Sequence, residues 1–426
     1  MSRSLSHFSG KKVLLLQGPV GPFFRRLAED LRWAGAQVWK INFNGGDWIF
    51  YPDQSTCYTG ELGGWMSFLE ELIESRGCDA MMLFGDCRSV HRVAREVADS
   101  MGIEVWVFEE GYIRPDYVTF ERGGVNARSS LPRTPIFYLN RSWSSGDVEN
   151  CVRVGRPFFQ TACWAIIYYF FSHLLSVFFP KYEHHRPLVI WEGLYWLRGF
   201  WRKVVYRFSE RHVFGELTGP RRGKFFLAAL QVHVDSQISV HSDFESVDRF
   251  IKEVVDSFAI HADANDILVF KHHPLDRGYH DYGSVVRHAC ERSGVSGRVR
   301  YIHDQPLPAM LDACKGVVVI NSTVGLSAIH HGCPVKVCGK AVYDMTGLTF
   351  QGDLDGFWKN ATKPNEELYR SFRAFLVRKT QVNGNFYRKL EKSVFVSGLN
   401  WGDLDLKHDE QASFWTNGRE GSAATG

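Results

Sequence analysis

The most constraining feature of this sequence is a rhythm of short apolar runs and amphipathic stretches that occurs twice, with a break between about 157 and 211. In the first half Lys12–Gln17 is an apolar run that ends at Gly18-Pro19. Phe23–Gly35 follows with helical spacing, placing Phe24, Leu27, Leu31 and Ala34 on one side and Arg25, Glu29 and Arg32 on the other. Gln37–Phe43 reads as the next strand, followed by a Gly45-Gly46 turn. Ala80–Phe84 and Glu104–Phe108 are further strands, separated by a helix over Arg88–Met101. The rhythm resumes with Lys224–Val232, Ile267–Phe270, Val299–Ile302, Gly316–Ile320 and Pro334–Val337, with a helix over Thr323–His331. Strands that alternate with helices at this spacing predict parallel sheets covered by helices. The fold class expected is α/β: two Rossmann-like, doubly wound domains facing a cleft.

The break has its own character. Phe158–Phe179 is strongly apolar and aromatic, interrupted by Gln160, Ser172, His173 and Ser176. Beyond it Trp191, Leu194, Leu197, Trp201, Val204 and Phe208 share a helical face, with Arg198, Arg202, Lys203, Arg207 and Arg211 elsewhere. A bilayer span needs about 20 apolar residues, so the first segment is long enough to be one. The polar interruptions and the basic helix after it fit a helical hairpin better, lying on a lipid surface or on the domain itself. The domains expected are 1–220, including a hairpin at 158–211; 221–380; a helical segment over 381–410 that packs back on the first domain; and a flexible tail at 411–426. Glu366–Ser397 is expected to be helical and charged.

Open α/β sheets bind ligands at the carboxyl ends of their strands. Lys271, His272, His273 and Pro274 follow one such strand, and Asn321, Ser322, Thr323 and Gly325 follow another. A helix start offers backbone N–H groups to an anion, and Lys271 and His273 can add donors. Each piece alone is also a plain N-cap or turn. Together they point to a phosphate site made by Lys271, His273, Pro274, Ser322, Thr323 and Gly325. Gln231, Asp235 and Gln237 end the strand that opens the second half. Asp235 can be a nucleophile or base there, or a cap of the next helix. Glu109, Glu110 and Gly111, with Arg114, end a strand of the first half. Glycosyl chemistry needs one carboxylate at the anomeric centre and another that exchanges a proton with the acceptor.

Other signals are weak. GxxxxGK[ST] and GxGxxG are absent. Asp353/Asp355 and Asp403/Asp405 do not follow apolar strands and read as polar loops, so no metal site is expected. Lys+Arg 50 against Asp+Glu 47 gives a net charge of +3, too even for a protein that wraps duplex nucleic acid. Nine cysteines without a CxxC pair, in a chain with no evident signal peptide, suit a reducing, cytoplasmic setting.

Taken together these motifs resemble the bacterial capsule β-Kdo transferases of the KpsS/LipB type. The resemblance is carried by Gln17–Phe24, Lys40–Asp47, Glu110–Pro115, Thr119–Glu121, Gly124–Asn126, Gln231–Gln237, Lys271–Pro274, Asn321–Gly325 and Tyr343–Thr349. It implies a GT-B-like fold and retaining transfer of Kdo (3-deoxy-D-manno-oct-2-ulosonic acid) from CMP-β-Kdo to lyso-phosphatidylglycerol, initiating the poly-Kdo linker of capsular polysaccharide. Under it Asp235 is the expected nucleophile and Glu110 the acid/base. Gln17, Arg114, Asn126, Gln231 and Gln237 are the expected sugar and acceptor contacts. It implies no cofactor beyond the CMP-β-Kdo donor. The expected partners are the acceptor lipid, the inner-membrane surface and other capsule assembly proteins, and the expected location is the inner face of the cytoplasmic membrane. Two alternatives stay open: a CDP-glycerol-type glycerophosphotransferase of capsule assembly, and a non-catalytic export or scaffold protein.

Overall fold

The computed structural model describes residues 4–140, 151–155, 157–182, 192–233, 242–402 and 406. The chain divides into two compact units: Met1–Pro132 with Trp143–Val189 and Arg373–Gly426, and Arg133–Ser142 with Ile190–Phe372.

Unit 1 carries a seven-stranded sheet. Its strands are β1 (Lys12–Leu15), β2 (Gln37–Asn42), β3 (Ser55–Cys57), β4 (Ala80–Phe84), β5 (Glu104–Glu110), β6 (Tyr117–Arg122) and, from much later in the chain, one at Gln381–Asn383. From β3 the order runs β3-β2-β1-β4-β5-β6 and ends on the late strand. The first five are parallel; β6 and the late strand join antiparallel. Strand side chains alternate between two cores. Val13, Leu15, Ala80, Met82, Trp106 and Phe108 pack with the helix Phe23–Trp33 on one face. Leu14, Leu16, Met81, Leu83, Val105 and Val107 pack with Trp65–Arg76 and Ser89–Met101 on the other. Strands buried on both faces explain the continuous apolar runs of the sequence.

Unit 2 holds a wholly parallel five-stranded sheet made of β7 (Phe225–Ala229), β8 (Ile267–Lys271), β9 (Val299–Ile302), β10 (Gly316–Val319) and β11 (Val335–Val337). Its order is β11-β10-β7-β8-β9. Phe250, Ile251, Val254 and Phe258 of the helix Val247–His261 cover one face, with Phe226, Leu268, Phe270 and Val318 beneath them. The strand at Gln381–Asn383 is hereafter β12. Each sheet thus contains the doubly wound α/β pattern expected from the sequence, and in each the strand order reverses beside the first strand, between β1 and β4 and between β7 and β10.

Four expectations are corrected. The unit boundary falls near 190 rather than 220, because the two helices of the expected 158–211 hairpin belong to different units. Phe158–Leu174 seats on Gly45–Phe50 of unit 1, while Glu192–Ser209 seats on unit 2. The expected helix over Glu366–Ser397 stops at Thr380, and the expected helical segment at 381–410 begins instead as strand β12 followed by turns. Propensity could not anticipate a three-residue strand whose stability comes from pairing with β6. The tail at 411–426 lies outside the described residues. The expected Gly45-Gly46 turn is the first turn of a helix, Gly45–Phe50, with Asn44 as its N-cap accepting from the Asp47 amide at 2.9 Å.

Candidate functional site

In unit 2 the ends of three strands are tied together at the point of strand-order reversal. Beyond β7, buried Gln231 donates its side-chain amide to Asn321 Oδ1 at 2.9 Å, and Gln231 Oε1 accepts from the Asn321 amide at 3.3 Å. This two-point bridge joins β7 to the loop after β10. Ser322 then caps the helix Thr323–His330, accepting from the Val324 amide at 3.2 Å, and Thr323 opens it half-buried. Gly325 is needed for a different reason than anion contact: a Cβ there would stand 2.2 Å from the Tyr343 hydroxyl. That hydroxyl donates to the Ser322 carbonyl at 2.5 Å, so glycine lets Tyr343 brace the capping residue.

The loop after β8 supplies the third strand end. Lys271 is buried, its ammonium donates to the His303 carbonyl at 3.0 Å, and burial lowers its pKa. Buried His272 meets the Tyr301 hydroxyl at 2.7 Å; burial, then neighbouring His303, push its imidazole down to about 4. His273 caps the short 3-10 turn Pro274–Asp276, accepting from the Leu275 amide at 3.2 Å, and Pro274 is exposed.

The same turn ends in a carboxylate that sequence reasoning missed. Asp276 has 0% exposure, accepts from the His233 backbone amide at 3.0 Å, and lies 2.5 Å from His233 Nδ1. His233 itself is exposed, with its ring over His280 at a centroid separation of 5.7 Å. His233 lay inside a motif already singled out, but nothing in the sequence joins it to Asp276. Asp235 and Gln237 lie outside the described residues.

In unit 1 the equivalent reversal point lies beside Gln17. This residue is buried, and its amide donates to Tyr182 at 2.7 Å while its oxygen accepts from Arg88 at 2.8 Å. Tyr168 and Ser172 of the helix Phe158–Leu174 complete the network: Asn44 donates to the Tyr168 hydroxyl at 2.8 Å and accepts from Ser172 at 3.0 Å. Gln17 is therefore held inside the unit, with both ends of its amide engaged.

The end of β5 is more open. Glu110 is half-buried, accepting from the Tyr387 hydroxyl at 3.4 Å. Its neighbour Glu109, on the opposite face of the strand, is pushed up to about 7, chiefly by burial, although Arg114 pulls the other way. Arg114 is exposed and donates to the Gly111 carbonyl at 3.1 Å. The quoted motif folds on itself: the Tyr112 hydroxyl donates to Glu121 at 2.8 Å and accepts from the Asn126 amide at 2.6 Å. Asn126 takes a left-handed φ of 56° there, and burial pushes Glu121 up to about 7. Glu109 and Glu121 stand in motifs that the sequence singled out, but burial of a carboxylate at a strand end is invisible there and neither was given a role.

The first Asp pair, expected to be a polar loop, lies at a helix start, with Asp353 at the N-cap of Leu354–Asn360 and Asp355 in the first turn. Asp355 accepts from Ser257 at 2.6 Å, while Asp403 and Asp405 lie outside the described residues.

The helix Glu192–Ser209 is inverted relative to an ordinary surface helix. Its inward side chains are polar or small: Arg202 bonds the Arg277 carbonyl at 2.9 Å, Tyr206 stacks on His303 at 3.6 Å, and Gly199 approaches the Gly278 backbone. Leu197, Phe200, Trp201 and Phe208 are each more than 60% exposed, amid exposed Arg198, Lys203 and Arg207. In unit 1, Phe158, Phe159, Ile166 and Phe170 of the aromatic helix are likewise exposed. Among the described residues no helix is long and apolar enough to cross a membrane.

A mixed, mostly parallel sheet and a wholly parallel one, each with a polar cluster at its point of reversal, define a doubly wound, two-unit α/β protein. The chain belongs to the capsule polysaccharide biosynthesis protein family, whose pattern matches residues 79–387. It is 42% identical over 385 residues to the capsule polysaccharide export protein KpsS of Escherichia coli, covering 89% of this chain and 97% of that one. It is 40% identical over 404 residues to the capsule polysaccharide modification protein LipB of Neisseria meningitidis serogroup A, covering 93% and 95%. The likeness to the KpsS/LipB type therefore extends over nearly the whole chain. Among solved structures, the β-Kdo 2,7 transferase KpsC of Thermosulfurimonas dismutans aligns over 88% of this chain and 92% of its own, at 13% identity and a TM-score of 0.42.

Proposed function

We propose that the protein is a retaining glycosyltransferase of capsule assembly that moves Kdo from CMP-β-Kdo to lyso-phosphatidylglycerol. The observation that carries this reading is the strand-end cluster of unit 2. There the Gln231–Asn321 bridge ties the end of β7 to the residue before the Ser322-capped helix at a reversal point, the usual place for a nucleotide phosphate. Ser322, Thr323 and His273 are the phosphate contacts in this reading, and Lys271 contributes positive charge from beneath. Asp235 is the nucleophile toward the anomeric carbon. Unit 1 serves the acceptor, with Glu110 exchanging the proton of its hydroxyl and Arg114 and Asn126 binding its polar end.

The exposed aromatic and basic face of Glu192–Ser209 supports a lipid acceptor. A helix that turns Trp201 and Phe208 outward among cations suits the headgroup region of an anionic membrane. The protein accordingly works peripherally, at the cytoplasmic face of the inner membrane and beside other capsule proteins.

The test is a transfer assay with freshly generated CMP-Kdo and a fluorescent lyso-phosphatidylglycerol, read by mass spectrometry. A product heavier by one Kdo, insensitive to excess CDP-glycerol, is expected. Loss of product in Asp235→Asn would place the nucleophile. A wild-type protein that binds no CMP and yields no product sinks the reading.

A further inference from the structure

Asp276 poses a problem that the proposed function leaves unanswered. A carboxylate with 0% exposure is costly unless it is paired or richly hydrogen-bonded. Its described side-chain partners are His233 Nδ1 at 2.5 Å and the Tyr282 hydroxyl at 3.5 Å, and its further bond comes from the His233 amide at 3.0 Å. Among these, the imidazole is the group that can carry a compensating charge. His272, on the same loop, is held neutral by burial.

The carboxylate also fixes which nitrogen of His233 does what. Ionised Asp276 is an acceptor, so Nδ1 keeps its hydrogen, and Nε2 shows no hydrogen bond among the described residues. The ring is exposed and steadied by His280 alongside. His233 stands two residues beyond Gln231, which bridges to the loop that starts the capped helix. Asp276 stands at the end of the turn that His273 and Pro274 begin. A histidine aimed by a buried carboxylate thus sits at the strand-end cluster assigned to phosphate.

We infer that His233, oriented and charge-balanced by Asp276, is the general acid that protonates the departing phosphate of the nucleotide-activated sugar. This rests on the transferase reading and adds a catalytic residue to it. In the first half of the transfer, the bond between the anomeric carbon and the CMP phosphate oxygen breaks, and both its electrons stay on that oxygen. A bond forms from the anomeric carbon to the Asp235 carboxylate. The proton on His233 Nε2 moves to the phosphate, and solvent returns a proton to the neutral imidazole. Asp276 touches no substrate and acts as a positioning residue.

Chemical rescue distinguishes this from a structural role. CMP release from CMP-Kdo in the presence of acceptor is measured for the wild type, His233→Ala and Asp276→Asn, with and without added imidazole. Because His233→Ala leaves the buried Asp276 carboxylate without its imidazole partner, its unfolding midpoint is expected to fall, so the assays are run well below that midpoint and His233→Ala/Asp276→Asn, which removes the buried charge as well, is measured beside it. The expected results are a kcat for His233→Ala lower by about a hundredfold or more, a donor KM within threefold of wild type, and recovery of at least tenfold on adding imidazole. Asp276→Asn should lose at least tenfold in kcat and gain nothing from imidazole, because its ring is present and misdirected. A kcat for His233→Ala within threefold of wild type, or a fall that imidazole does not relieve, overturns the inference while the wild-type turnover leaves the transferase reading standing. A wild type that neither binds CMP nor releases it overturns both.

Discussion

Gly46→Ala tests how the aromatic helix Phe158–Leu174 is held to unit 1. A Cβ at Gly46 would stand 2.4 Å from Ser172 Oγ and 2.6 Å from the Tyr168 carbonyl oxygen, inside contact distances that carbon atoms do not adopt. The helix must retreat, and overpacking of this kind costs about 1–3 kcal/mol. Retreat also strains the bonds from the Gly46 amide to Ser172, from Ser172 to Asn44 and from Asn44 to Tyr168. Buried bonds are worth about 1 kcal/mol each, while the better helix propensity of alanine returns at most about 1 kcal/mol. The net loss is about 4 kcal/mol, roughly a thousandfold in local opening. Hydrogen exchange read by mass spectrometry should show that acceleration in peptides from Phe158–Leu174. The control is Gly215→Ala in the helix Arg211–Thr218, where nothing lies within 4 Å of the added carbon and exchange should slow severalfold. Exchange of the aromatic helix in Gly46→Ala within threefold of wild type would refute the close-packing argument.

Other expectations concern single contacts. Burial raises Glu109 and Glu121 to about 7 from an ordinary 4.5. Between those pH values the folded state keeps protons that the unfolded chain has released, so stability falls as pH rises through this window. Glu109→Gln should flatten part of that fall in urea midpoints taken at pH 4.5 and 7.5, and a wild-type midpoint independent of pH would contradict the burial argument. Ser322→Ala removes the cap of the helix Thr323–His330 and should cost about 1 kcal/mol in urea unfolding. Calorimetry should show CMP affinity falling severalfold with it. Gly325→Ala should destabilise by about 1–3 kcal/mol, yet by much less in a Tyr343→Ala background, where the clashing ring is gone; equal costs in both backgrounds would disprove the bracing role of Tyr343. Reversing Arg198, Lys203 and Arg207 to Glu should abolish co-sedimentation with vesicles containing phosphatidylglycerol, without changing the unfolding midpoint.

The sheets were legible in the sequence because parallel strands covered on both faces announce themselves as unbroken apolar runs, as at Val13–Leu16 and Phe225–Ala229. The strand-end polar clusters were legible for the same reason, since the polar residue after such a run falls at the carboxyl end of its strand. What pattern could not supply was partnership over long separations. The pairing of His233 with Asp276 spans 43 positions, and that of Gln17 with Tyr182 spans 165. The helix Glu192–Ser209 was legible only in part: its apolar stripe was expected to lie on a lipid surface or on the domain itself, and it is the polar and glycine face that packs on unit 2 while the stripe is exposed. Amphipathicity locates two faces without saying which is turned inward.

The late strand of the first sheet has a consequence for how the protein is made. β6 ends at Arg122, whereas its outer partner β12 begins at Gln381, with the whole second sheet encoded in between. A ribosome adding about 5–20 residues per second needs roughly 10–50 s to cross that interval. Throughout it the nascent chain presents β6 with one row of backbone hydrogen-bonding groups unsatisfied, an invitation to strands of neighbouring nascent chains on the same polysome. Chains released early, by a stop codon or a nick before Gln381, would keep that edge permanently. Such truncations should be recovered as aggregates or bound to chaperones even though unit 2 in them is encoded in full.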